Sequence, residues 1–195
     1  MTQEVMDRRA AVNKLLAARD GALVVTGLGS PSYDVHAAGD VDSNYYLWGA
    51  MGGAALTGLG LAQAQRDKRV MVITGDGEML MAFGALATIS VAKPANLDII
   101  VLDNEHFGET GMQSSHTGRG IAFDKIAASA GFADTAELRS LDEVDGLVER
   151  LAKPARGPRL FVLKIKAENL PRSLPPRDAT FVKNRFRAHV GFATC

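Results

Sequence analysis

Residues 70–108 read VMVITGDGEMLMAFGALATISVAKPANLDIIVLDNEHFG, and this stretch decides the fold. Its first five residues are apolar and rich in β-branched types, and Gly75-Asp76-Gly77 stops the run. A helical segment is predicted over 78–92, and a second apolar run, 97–103, ends on Asp103-Asn104 before a loop rich in glycine. Strands that are apolar without alternation are buried on both faces, the pattern of a parallel sheet with helices on either side. The pattern extends outward in both directions. Residues 22–26 form a similar run closed by Gly27-Leu28-Gly29, and residues 159–165 supply another. Helical spacing occupies 5–18, 50–65, 123–131 and 142–152. The expectation is a single α/β domain over 1–195, with a mostly parallel sheet and helices on both faces. A tail at 168–195, carrying proline and arginine, is expected to wrap the surface.

Composition narrows the function classes. The chain has 195 residues with 22 basic and 22 acidic side chains, so its formal net charge of 0 excludes the electrostatic footprint of a nucleic-acid binder. No uninterrupted apolar run reaches the roughly 18 residues of a membrane span, and the charged N-terminal segment lacks an apolar signal core. The single cysteine, Cys195, excludes an internal disulfide and a cysteine-rich metal or iron–sulfur site. A cytoplasmic protein is expected.

Two predicted helices, 50–65 and 78–92, carry almost no charge on any face and are crowded with glycine and alanine. A helix that is apolar all round is buried all round. Either they sit in a crowded core or they line a subunit interface. Glycine inside a helix costs about 1 kcal/mol relative to alanine, so Gly52, Gly53, Gly58, Gly60 and Gly84 suggest close backbone approach.

In a doubly wound sheet, ligands collect at the carboxyl ends of the strands. Asp76 and Asn104 both lie at such ends, 28 residues apart, so neighbouring strands can present them together. A carboxylate, an amide oxygen and a loop carbonyl suit magnesium, which takes oxygen ligands and keeps positions for phosphate and water. Gly75 and Gly77 allow close backbone approach to a phosphate, and a helix starting near Glu78 would offer unpaired N–H groups. A glycine-flanked aspartate also serves as an ordinary turn.

From GDG to LDNEHFG the chain resembles the thiamine diphosphate-binding motif, which runs from GDG to an asparagine-rich end, usually NN. Here Asp103 replaces the first asparagine and Asn104 retains the second. The resemblance implies a thiamine diphosphate-binding fold, with Mg2+ held by Asp76, Asn104 and the backbone carbonyl of His106. It further implies cofactor contacts from Gly27, Gly49, Met51, Gly75, Asp76, Gly77, Glu78, Asn104, His106 and Gly108. In Leu47-Trp48-Gly49-Ala50-Met51-Gly52-Gly53 the Gly49 carbonyl would accept from the cofactor's amino group, and Met51 would wedge beneath its two rings. A methionine among glycines is equally ordinary core filler.

Residues 42–60 and 108–120 are similar to the β subunit, or C-terminal domain, of sulfopyruvate and phosphonopyruvate decarboxylases. That resemblance spans 5–165 and implies a small anionic 2-oxo acid substrate, released as aldehyde and CO2. Gln113, Ser114, Ser115, His116, Thr117 and Arg119 are donors suited to such an anion. His116 is the preferred catalytic acid, and Glu109 is a further candidate.

The superfamily also needs a glutamate on a second, pyrimidine-binding domain, for which this sequence shows no strands. Glu78 and Glu105 stand at the wrong end of the cofactor to replace it. The resemblance therefore implies an α subunit carrying that domain and its glutamate, in a hetero-oligomer such as α2β2 or larger. Another thiamine-dependent decarboxylase or carboligase subunit, or a non-catalytic cofactor-binding module, would share these motifs. A dinucleotide enzyme ranks last, since no GxGxxG opens a helix here.

Overall fold

The computed structural model describes residues 5–193, so Cys195 lies outside the described residues. The elements in chain order are α1 (Arg8–Ala17), β1 (Leu23–Thr26), α2 (Ser30–Ala37), β2 (Asn44–Tyr46), α3 (Ala54–Ala64), β3 (Val70–Gly75), α4 (Asp76–Met81) and α5 (Ala85–Ala92). There follow β4 (Leu97–Asp103), β5 (His106–Phe107), β6 (Gln113–Ser114), a 3-10 turn (Thr117–Arg119), α6 (Phe123–Ala130), β7 (Asp134–Leu138), α7 (Leu141–Leu151), β8 (Arg159–Lys164) and α8 (Ala179–His189). Six strands form one sheet in the order β2-β1-β3-β4-β8-β7, and every pairing in it is parallel. β5 and β6 make a small antiparallel ribbon apart from it.

The sheet is apolar on both faces because successive residues of each central strand enter different cores. Leu23, Val70, Val72, Leu97, Ile99, Val101, Leu160 and Val162 pack beneath α3, α5 and α6. Val24, Met71, Ile73, Ile100, Leu102, Phe161 and Leu163 pack beneath α1, α2 and α7. Close packing of α3 on β3 requires Gly58, where a Cβ would fall 2.2 Å from Val72 Cγ2. Gly60 and Gly84 face open space instead, so close approach within the chain does not account for them.

Three helices begin where a side chain caps them. Asp7 accepts from Ala10 N at α1, Asp178 caps α8, and Ser140 with Glu143 forms a reciprocal capping box at α7. The predicted helix 50–65 starts only at Ala54, because Gly49 and Gly52 adopt positive φ of 70° and 90° and turn the chain first. The predicted helix 78–92 is two helices, broken at residues 82–84. Nor are these helices buried all round in this chain: Leu56, Met81, Phe83 and Val91 are exposed, Met81 by 65% and Val91 by 85%.

After β8 the chain runs extended along α1 and α2. Glu168 O accepts from Arg8 Nη1, Pro171 O accepts from Arg9, Ser173 Oγ meets His36 Nδ1 and Pro176 O accepts from Trp48 Nε1. It then forms α8, whose Phe186 stacks edge-on against Tyr45 and enters the core. Arg185 holds that helix to Asp40 through two hydrogen bonds, 2.6 and 3.0 Å. No helix among the described residues is long and apolar enough to cross a membrane.

Candidate active site

A cavity opens at the carboxyl ends of the central strands, where β3 hands over to α4 and β4 to the ribbon. Gly75, Asp76, Gly77 and Glu78 line it from one strand end, and Asn104, His106, Phe107 and Gly108 from the next. Leu28, Ser30 and Pro31 line a third side, Met51 a fourth, and Arg8, Leu102, Glu109, Thr110 and Ile165 complete the wall. The fold thus brings together eight of the residues expected to contact a cofactor: Met51, Gly75, Asp76, Gly77, Glu78, Asn104, His106 and Gly108. Gly27 and Gly49 do not line it; Gly27 is buried beneath Glu78, and Gly49 is exposed.

Asp76 is 2% exposed. Its Oδ2 accepts from Ser115 Oγ at 2.5 Å and from Thr117 Oγ1 at 3.1 Å. Thr117 also reaches Asp103 Oδ1 at 2.8 Å, and one hydroxyl has a single proton to share between two carboxylates. Burial pushes the Asp76 carboxyl up to about 6, and the nearby Asp103 charge adds to the rise against the stabilising hydroxyls. The ion pairs of the described residues leave it without a cationic partner. A buried carboxylate in that condition suits a divalent cation.

Asp103, the departure from the asparagine pattern, is neutralised locally. Its register partner Lys164 on β8 places Nζ 2.8 Å from Asp103 Oδ2 and 2.6 Å from Glu105 Oε1. Burial disfavours the ammonium, yet the hydrogen bonds it donates to both carboxylates outweigh that and hold the Lys164 pKa above its ordinary value. Asp103 thereby serves the loop: it accepts from Glu105 N at 2.9 Å, and Glu105 turns through a positive φ of 62°. Asn104 Oδ1 accepts from His106 N at 2.9 Å and retains a second lone pair.

The glycines of the motif have different tasks. A Cβ on Gly75 would enter the cavity, with Pro31 Cγ at 3.9 Å as its nearest contact, so glycine here leaves room for a ligand. At Gly77 a Cβ would strike Phe107 Cδ1 at 2.6 Å, so this glycine admits the neighbouring ring. Gly27 is bare because Glu78 occupies the place of its side chain, 1.7 Å from a built Cβ.

Glu78, 5% exposed, turns its carboxylate away from the cavity centre toward the loops around it. Oε2 accepts from Leu28 N at 2.9 Å and Thr74 Oγ1 at 3.0 Å, and Oε1 from Ala54 N at 3.4 Å. Burial raises its pKa, and those donors oppose the rise. Glu78 therefore ties the start of α3, and with it the Met51 turn, to the ends of β1 and β3.

Residues 31–163 match the family of thiamine pyrophosphate enzymes, C-terminal TPP binding domain. The chain belongs to that family. It is 32% identical over 190 residues to the sulfopyruvate decarboxylase subunit beta of Methanothermobacter thermautotrophicus, an alignment covering 97% of this chain and 98% of that one. Identity is 40% over 123 residues to the corresponding subunit of Methanocaldococcus jannaschii, covering 63% of this chain and 64% of that one. It is 37% over 187 residues to the phosphonopyruvate decarboxylase of Streptomyces viridochromogenes, covering 94% of this chain but 46% of that one. The chain thus spans under two thirds of the last two relatives. A solved structure from Mycobacterium smegmatis, provisionally assigned as a thiamin diphosphate-dependent enzyme, superposes with a TM-score of 0.71 at 22% identity. It covers 84% of this chain and 32% of that one, and confirms the fold.

For a thiamine pyrophosphate enzyme, the residues present fit the cofactor. The bare Gly75 leaves space beside Asp76, Asn104 supplies an amide oxygen, and no ion pair of the described residues gives Asp76 a cationic side chain. Among the described residues no three His, Cys, Asp or Glu side chains cluster as a metal site.

The loop after the ribbon departs from the sequence reading. Ser115 and Thr117 are buried and spend their hydroxyls on Asp76 and on each other, while Gln113, His116 and Arg119 are exposed. His116 is not among the residues lining the cavity. Sequence reasoning missed Arg8, Pro31 and Phe107 as wall residues. Arg8 lies on what reads as a charged helix face, and its partner Asp34 is too distant in sequence to suggest a buried pair.

Proposed function

We propose that this chain is the diphosphate-binding subunit of a thiamine diphosphate- and Mg2+-dependent 2-oxo acid decarboxylase acting on sulfopyruvate or phosphonopyruvate. The observation that carries the reading is the end-to-end alignment with a sulfopyruvate decarboxylase subunit beta, with the motif residues gathered around one cavity. Asp76, Asn104 and the His106 carbonyl would hold the magnesium ion, and the backbone at Gly75 and Gly77 the diphosphate. When bound, thiamine diphosphate supplies an electron sink for loss of CO2 from a 2-oxo acid. This chain's own work is positioning. Ser115 and Thr117 orient the Asp76 carboxylate, Glu78 holds the Met51 turn against the strand ends, and Met51 offers a flexible apolar support at the cavity wall. His116, exposed on the loop that orients Asp76, is the proposed proton donor within the assembled enzyme.

The partner proposed is an α subunit bearing the pyrimidine-binding domain and its glutamate, in a cytoplasmic hetero-oligomer. The exposed apolar side chains Leu56 of α3, Met81 of α4, Phe83 between α4 and α5, and Val91 of α5 support a covered face. The test is co-expression with the neighbouring reading frame, then CO2 release from sulfopyruvate, phosphonopyruvate and unsubstituted pyruvate. Release from a sulfonated or phosphonated substrate only when both chains are present supports the proposal. A cofactor-loaded homo-oligomer inert toward all three favours a non-catalytic module, and turnover of pyruvate alone favours another decarboxylase or carboligase.

A further inference from the structure

Arg8 is the first residue of α1, a helix whose charged positions would ordinarily be solvated, yet it is 3% exposed. Its side chain reaches across to the same cavity that Asp76 and Asn104 line. Two contacts hold the guanidinium there: Nε forms an ion pair with Asp34 Oδ2 at 2.8 Å without hydrogen-bond alignment, and Nη1 donates to Glu168 O at 2.9 Å. Asp34 is shared with Arg9, whose Nε lies 3.1 Å from the other carboxylate oxygen. Two cations therefore face one buried carboxylate, and the cluster keeps a net positive charge.

The rest of the wall has the opposite sign. Asp76, Glu78 and Glu109 all line the cavity, and among the described residues lining it Arg8 is the one arginine or lysine. A diphosphate entering the cavity would meet the Asp76 carboxylate, with Glu78 engaged by its own donors and Glu109 paired with Arg172 at 3.1 Å, and that charge is relieved by whatever cation Asp76 holds and by Arg8. Guanidinium carries five donors in a planar fork matched to phosphoryl oxygens, and the described contacts use two of its nitrogens. Burying an arginine costs desolvation energy that a mere helix-packing role would not require.

We propose that Arg8 is a diphosphate-binding residue, donating to phosphoryl oxygens while Asp34 and the Glu168 carbonyl hold its fork in place; this rests on the thiamine diphosphate reading of the site. The tail after β8 thereby takes part in cofactor binding through Glu168. Arg9 is the internal comparison, since it pairs with the same aspartate but does not line the cavity.

The experiment is calorimetric titration of thiamine diphosphate, thiamine monophosphate and thiamine, with Mg2+, into the full chain co-expressed with its partner. Arg8→Met is expected to weaken thiamine diphosphate by about 10- to 100-fold, the range of a charge-assisted hydrogen bond, and thiamine far less. Arg8→Lys should fall between, keeping charge but losing the fork, and Arg9→Met should stay within about twofold of wild type. Because Arg8→Met strands the Asp34 charge, Arg8→Met with Asp34→Asn removes both partners, and the same loss of diphosphate preference is expected there. If wild type binds and this folded double variant binds all three ligands as wild type does, the role of Arg8 is overturned while the cofactor reading stands. If wild type binds no thiamine diphosphate, the cofactor reading itself fails and Arg8 falls with it.

Discussion

Replacing Glu78 by alanine should cost the protein about 2–4 kcal/mol of stability, a value that follows from what its carboxylate holds. Two donors at good distance, Leu28 N at 2.9 Å and Thr74 Oγ1 at 3.0 Å, would lose their acceptor. Each buried donor left unpaired costs about 1–3 kcal/mol. The Ala54 N contact, at 3.4 Å, is long enough to count for little. Relief from burying a carboxylate, visible in its raised pKa, offsets part of the sum. Glu78→Gln keeps one oxygen that can serve both good donors and inverts only the long contact, so about 1 kcal/mol is expected. Urea unfolding of the complex, followed through the fluorescence of Trp48, the chain's single tryptophan, provides the assay. For a chain of this size the alanine variant should melt roughly 4–16 °C lower. An alanine variant within about 0.5 kcal/mol of wild type, below the cost of even one lost donor, would refute the tying role.

Other perturbations test neighbouring parts of the account. Gly77→Ala drives a methyl to 2.6 Å from the Phe107 ring and should cost about 1–3 kcal/mol in thermal melting, with partial rescue by Phe107→Leu. Met51→Ala should lower turnover of the assembled enzyme more than it lowers cofactor affinity; equal losses in both would remove its proposed supporting role. The attachment of α8 should fail in acid. Burial works to raise the Asp40 pKa, but hydrogen bonds from Arg185 and Tyr46 and the Arg185 charge hold it below the ordinary carboxylate value. The folded state then binds fewer protons than the unfolded one, so this stabilisation is complete above about pH 4 and lost as pH falls through the depressed pKa. Proteolysis near Arg185 should accelerate below that pH in wild type, and Asp40→Asn should be equally susceptible at neutral pH.

The strands read most clearly from sequence, because β1, β3, β4 and β8 are buried on both faces and their apolar runs have no competing pattern. The edges were silent. β2 has three residues and β7 reads DTAEL, four of its five positions half-buried, so neither carries the apolar signal of a central strand. Helix α2, SPSYDVHA, hid behind its polar composition, though Tyr33, Asp34 and Val35 are all buried. Tertiary geometry decided the rest. The break at 82–84 carries one local signal in the apolar stretch 78–92, Gly84, and its cost of about 1 kcal/mol relative to alanine is too small to set a break without tertiary context. At the site, Asp76 and Asn104 were legible because strand ends converge by topology. The hydroxyls of Ser115 and Thr117 were misplaced because a loop's polar residues look alike until the chain turns one of them inward. Arg8 needed its partner Asp34, and no local pattern links the two.

The central claim is that Asp76 and Asn104 hold a magnesium ion for the diphosphate, and the most direct measurement is titration of thiamine diphosphate into the assembled protein with and without Mg2+. Wild type should bind only when magnesium is present, and Asp76→Ala or Asn104→Ala should weaken that binding by at least about 10- to 100-fold while leaving the fold intact. Undiminished, magnesium-dependent binding in either variant would contradict the account.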